Sequence, residues 1–178
     1  LFDSTPSPDF EDDFSSSTGW VEVGSGVTVD NASFPDILKA NGINTNTDNR
    51  VYKPLGFTLD SKFVARFIVN ANAMTSNAFS FIFTVTAGTS NLATSTNMDL
   101  ISVGMDNTTN TIYMRSKDGT TAGTNTAGFG TTAGTTYYIE IQKDGTSGTI
   151  NIRTGSFAGT PTTKTTTYKP TIPEELKP

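Results

Sequence analysis

The chain has 178 residues, of which 16% are charged and 10% aromatic, and a formal net charge of −5. That length suits one domain with a sizeable core, and the acidic balance leaves no basic footprint for nucleic acid or an acidic membrane surface. With no cysteine and no histidine, disulfides, zinc–thiolate centres and histidine-based acid–base chemistry are excluded.

Threonine, serine, asparagine and glycine dominate the polar residues. This mixture predicts short strands joined by polar turns, since threonine and glycine are poor helix formers. No apolar run approaches the length of a membrane span, so no membrane insertion is expected. Low charge, abundant Thr and Asn and a lack of cysteine match an extracellular or cell-surface protein of a microbe. Leu1 in place of methionine leaves two origins open, removal of a leader or excision from a longer protein.

Residues 1–9, with two prolines among Ser and Thr, read as an N-terminal arm or linker. Strand signals then recur at short intervals. "WVEV" (20–23) and "GVTVD" (26–30) flank a glycine-bounded turn, and "PDILKANG" (35–42) is read as a strand beginning at Ile37 in preference to a helical turn. "RVYK" (50–53) stops at Pro54. In "KFVARFIVN" (62–70), Phe63, Ala65, Phe67 and Val69 alternate with Val64, Arg66 and Ile68. "AFSFIFTVT" (78–86) sets Phe79, Phe81, Phe83 and Val85 on one face and is the strongest core strand. "MDLISVGM" (98–105) and "TIYMRS" (111–116) follow, separated by the turn-like stretch 106–110.

Residues 121–136 read as a long Gly/Thr/Ala loop carrying Phe129. In "TTYYIEIQKDGTSGTINIRTG" (135–155), Tyr137, Ile139 and Ile141 alternate with Tyr138, Glu140 and Gln142, and Ile150 and Ile152 alternate with Thr149, Asn151 and Arg153. Residues 143–148 supply the turn. Residues 160–178, Thr-rich with four prolines, read as a C-terminal arm. The sandwich domain is accordingly residues 10–159. Such a series of strands predicts an all-β antiparallel sandwich or barrel.

The order of these motifs resembles the concanavalin A-like, laminin-G-like superfamily. "DDFSSSTGWVEVGSGVTVD" (12–30) is similar to that superfamily's opening, an Asp-x-Phe followed by a polar spacer and a Trp, and 135–155 is similar to its late hairpin. The resemblance spans most of residues 10–157 and rests on order and spacing, with no single specific motif. It implies a single jelly-roll β-sandwich. Two departures stand out: Thr135 or Thr136 replaces the tryptophan common before the hairpin, and only the Thr- and Pro-rich tail follows it. With "TTTYK" (165–169) a poor strand, an incomplete edge is expected, open to pairing with another chain.

Some relatives of that fold are glycoside hydrolases, which rest on paired carboxylates in a pattern such as Glu-x-Asp-x-x-Glu. None of Glu11, Glu22, Glu140, Glu174 and Glu175 matches it, so no catalytic residue is assigned. Calcium is the ion of choice for carboxylates without imidazole or thiolate. Its candidate ligands are Asp12 and Asp13, at the place where the resemblance implies a structural ion, and Asp99 with Asp106 and Asn107; the alternative is that these residues only form turns. For a carbohydrate, Tyr113, Tyr138, Tyr52 and Phe129 are candidate stacking platforms and Arg115, on the face of Tyr113, a hydroxyl partner; the alternative is that the tyrosines cover a second sheet face. Asn31 and Asn107 fit the N-glycosylation pattern.

The leading expectation is a non-catalytic extracellular module for adhesion or assembly into a surface layer or filament through its arms. Its partners would be copies of itself or other surface proteins. A lectin-like carbohydrate-binding module is the alternative, and a glycoside hydrolase comes third.

Overall fold

The computed structural model describes residues 10–12, 16–24, 27–30, 37–40, 50–57, 62–70, 79–86, 100–106, 110–118 and 121–167. Their regular elements are all strands: β1 Val21–Val23, β2 Val27–Asp30, β3 Ile37–Ala40, β4 Arg50–Tyr52, β5 Lys62–Asn70, β6 Phe79–Thr86, β7 Leu100–Asp106, β8 Thr111–Asp118, β9 Thr121–Asn125, β10 Phe129–Gly130, β11 Thr136–Asp144, β12 Ser147–Thr154 and β13 Thr162–Thr167. No helix occurs among the described residues. The chain divides into two compact units, Leu1–Gly56 and Phe57–Pro178.

In the first unit β1 pairs antiparallel with β4, and β2 with β3. The strand beginning at Ile37 is present. The two segments on either side of the glycine turn do not pair with each other; Gly24, at a φ of 80°, turns the chain, and each segment finds a partner further along.

The second unit holds two antiparallel sheets. One runs β13-β12-β11-β5; the other runs β10-β8-β7-β6, with β9 also on β8. The β11–β12 hairpin is the framework of the first. Its strands extend to Asp144 and Ser147, so the reversal is shorter than the expected span 143–148 and consists of Gly145 and Thr146. Gly145 takes a φ of 56°, the positive value a type II′ turn needs at its first central residue. Lys143, expected in the turn, is a strand residue on the core side and only 3% exposed.

The two sheets share one core. Its buried apolar residues come from the middle strands: Ile101, Val103 and Met105 of β7, Ile112 and Met114 of β8, Tyr137, Ile139 and Ile141 of β11, and Ile150 and Ile152 of β12. Ring contacts join the layers. Phe67 of β5 stacks on Phe83 of β6 with centroids 4.7 Å apart, and Phe129 of β10 meets Tyr137 of β11 edge-on at 5.9 Å. Period-two alternation in β5 works as expected, with Phe63, Ala65, Phe67 and Val69 packed against the core while Val64 and Ile68 are 58% and 57% exposed.

Three segments depart from expectation. The register between β6 and β7 shifts between Phe81 and Phe83, a bulge that breaks the uninterrupted period expected from Phe79 to Val85. The presumed loop 121–136 mostly lines the edge of β8, β9 facing its later residues and β10 its start. The first part of the presumed tail is β13, paired with β12 from Ile152↔Thr162 to Ser147↔Thr167. β-branched threonine favours extended backbone even without an apolar face, and an edge strand is held by one ladder of backbone bonds. Neither segment therefore carries the alternation by which a half-buried strand is recognised.

Candidate functional site

The outer face of the four-stranded sheet is organised around Glu140. The registers put Arg66 of β5, Glu140 of β11, Asn151 of β12 and Thr163 of β13 in one row across the sheet. Arg66 Nε donates to Glu140 Oε2 at 2.7 Å. Gln142 Nε2 and Asn151 Nδ2 donate to Oε1 at 2.8 and 3.0 Å, and Thr163 Oγ1 donates to Asn151 Oδ1 at 2.7 Å. Arg153 adds a second positive charge, its Nη2 lying 3.9 Å from Oε1. Burial is the largest single influence on the Glu140 carboxyl and raises its pKa; the hydrogen bonds from Arg66, Asn151 and Gln142, with the charge of Arg66, outweigh it and hold the pKa below the usual value. A carboxylate so held is a fixed anion, the opposite of a group kept protonated to donate a proton.

Tyr138 belongs to this same outer face, next to the Glu140 row. Tyr138 and Phe157 meet edge to face at a centroid distance of 5.2 Å, and the Arg66 guanidinium lies 5.9 Å from the centre of the Phe157 ring. Arg153 Nε donates to the Gly159 carbonyl at 2.9 Å, which ties down the segment carrying Phe157.

Tyr113 and Arg115 lie on the outer face of the other sheet, so they and Tyr138 face opposite directions within the unit. Arg115 stands in register with Ser102, which pairs in turn with Thr84, and Tyr113 with Gly104. Burial raises the Tyr113 pKa, the charge of Asp106 adds to the rise, and Arg115 opposes it. Tyr113, Arg115 and Asp106 are thus brought together. Ser102 is fully buried, and among the described residues its hydroxyl and that of Thr84 have no hydrogen-bond partner.

Phe129 packs toward the core against Tyr137, whose hydroxyl accepts a bond from the Thr132 amide at 2.7 Å. Tyr52 lies in β4 of the first unit, paired with Val21. In that unit Asp12 Oδ2 accepts bonds from Trp20 Nε1 at 3.1 Å and from Lys53 Nζ. The Lys53 ammonium sits 5.6 Å from the ring centres of both Phe10 and Trp20. This carboxylate has a positive charge beside it, the ammonium of Lys53. Asp13, Asp99, Asn31 and Asn107 lie outside the described residues. Among the described residues no three acidic side chains gather in one place.

Sequence reasoning missed the Glu140 network, the Lys53 cation–aromatic cluster and the role of Phe157. A signal existed for part of it: once the turn is placed at Gly145 and Thr146, Asn151 falls opposite Glu140. No family model, curated protein or solved structure matches this chain.

Proposed function

We propose that the chain is a non-catalytic extracellular module, a jelly-roll sandwich of the concanavalin A-like, laminin-G-like type, serving adhesion or assembly at a cell surface. The observation that carries this reading is the β5 edge. Nine residues long, β5 pairs with β11 on one side and with no strand on the other among the described residues, and it holds Val64 and Ile68 more than half exposed. Open edges with exposed apolar side chains are sites for strand addition. The polar, weakly charged composition supports the extracellular placement.

Light scattering on the full chain, on a variant lacking 1–9 and on one lacking 168–178 tests the reading. The cut after Thr167 spares β13. Assembly predicts a mass of more than one chain, which falls in the truncated forms if the arms contribute. A single-chain mass for all three at every concentration overturns it.

A second reading, a carbohydrate-binding module, is favoured by the grouping of Tyr113, Arg115 and Asp106 on one face. Here Tyr113→Ala abolishes glycan-array signal and Tyr138→Ala, on the opposite face, leaves it. Calcium enters this reading as a ligand of Asp106, tested by titration calorimetry with Asp106→Asn.

A further inference from the structure

We infer that β5 pairs with β5 of a second copy, antiparallel and about a two-fold axis at Arg66, so that the two four-stranded sheets become one. This deepens the assembly reading and rests on it.

The strand is a palindrome in chemical kind. With Arg66 on the axis, Lys62 meets Asn70 of the second copy, Phe63 meets Val69, Val64 meets Ile68 and Ala65 meets Phe67. On the outer face the two exposed apolar residues, Val64 and Ile68, cover each other twice, once on each side of the axis. On the core face Phe63, Ala65, Phe67 and Val69 are only partly buried, unlike their counterparts in β11 and β12, and a strand added beside them would finish their burial. An isologous contact needs this kind of self-complementarity.

Charge also fits. Two arginines facing each other on the axis would repel, but each is already paired with a carboxylate of its own sheet. Arg66 Nε bonds Glu140 and its guanidinium lies beside Phe157, so both contacts draw it back over its own sheet and away from the open edge. At the strand ends the Asn70 amide nitrogen donates to Thr136 Oγ1 at 2.9 Å. That turns its carbonyl oxygen into an acceptor for the Lys62 ammonium of the second copy. Lys62, whose ammonium already pairs with Asp144 of its own sheet at 2.9 Å, would otherwise act as a charge that guards an edge; opposite Asn70 it gains a second partner.

Because the chain contains no cysteine, the register can be read by introducing two. Directly opposed strand residues have Cβ atoms roughly 4.5–5.5 Å apart, close to disulfide reach, whereas a residue and its own copy four positions out of step lie about 13 Å apart. Val64→Cys and Ile68→Cys are made singly and together in the full chain, oxidised, and run without reductant; circular dichroism checks that each folds. The double variant is expected to form a covalent dimer and each single variant to remain a single chain. Single variants that cross-link as well as the double one overturn this register while leaving assembly itself intact. A chain that scatters light as a monomer at all concentrations, with no cross-link in the double variant, overturns both.

Discussion

Glu140 is nearly buried and ionised because donors from three strands converge on it. The linkage follows from the direction of its shift. A carboxyl whose folded pKa lies below its unfolded value contributes stability that is present above the unfolded value, about pH 4.3 for glutamate, and is lost as pH falls through the lower folded value. Acid unfolding of Glu140→Gln is therefore expected to be less steep than that of the parent below about pH 4.3. At neutral pH, Glu140→Gln is expected to cost about 2–3 kcal/mol in denaturant unfolding, since it strands the largely buried Arg153 without its counter-charge. Arg66→Ala should cost under about 1 kcal/mol, because the Arg66 side chain is 59% exposed and solvent screens the pair. Equal losses in the two variants would contradict this division. Lys143 has the opposite sign. Burial lowers its pKa, with Asp144 opposing, so its charge costs stability at neutral pH and the cost is relieved as pH rises through the lowered value. Lys143→Met removes that cost together with the bond from the ammonium to the Gly145 carbonyl at 2.7 Å, and its stability relative to the parent is expected to fall as the solution becomes alkaline, read by denaturant unfolding at several pH values.

At the scale of elements, the hairpin was legible because both of its signals are local. Alternation marks Tyr137–Ile141 and Ile150–Ile152, and Asp144-Gly145 marks the reversal. Gly145→Ala should cost about 1–2 kcal/mol, although its Cβ would meet open space, because an L-residue resists the positive φ held there. Ile139→Ala, in the fully buried middle of β11, should cost about 2–5 kcal/mol. What the sequence hid depends on distant partners. Nothing near Arg66 announces that β5 will lie beside β11 with Glu140 opposite, and nothing near Asp12 announces Lys53. β9 and β13 are threonine and glycine strands whose warrant is a neighbour's backbone, not their own pattern. The bulge at Phe81/Phe83 was hidden by a run of aromatics that looks uniform on paper.

For the whole molecule, the order of motifs pointed to antiparallel sheets around one core, and the second unit has them. Alternation puts Tyr113 and Tyr138 opposite the apolar face of their strands; it assigns a residue to a face of its own strand but not to a face of the molecule. Tyr113 and Tyr138 consequently lie on opposite sides, Phe129 packs toward the core and Tyr52 belongs to the first unit. The Glu140 network and the β5 edge are coupled through Arg66: with Glu140→Gln, the guanidinium loses its anchor, and the like charges at the two-fold axis are no longer compensated. Self-association of Glu140→Gln should weaken, and more so at low salt, where repulsion between the two arginines is least screened.

The most direct test is amide hydrogen exchange of the full chain from dilute to concentrated solution. If copies meet at β5, alternate amides of residues 62–70, those pointing away from β11, exchange freely when dilute and become protected as concentration rises. The amides of β11 and β12 stay protected throughout. Exchange along β5 that ignores concentration, in a solution whose scattering mass has risen above one chain, would contradict the account and place the contact elsewhere.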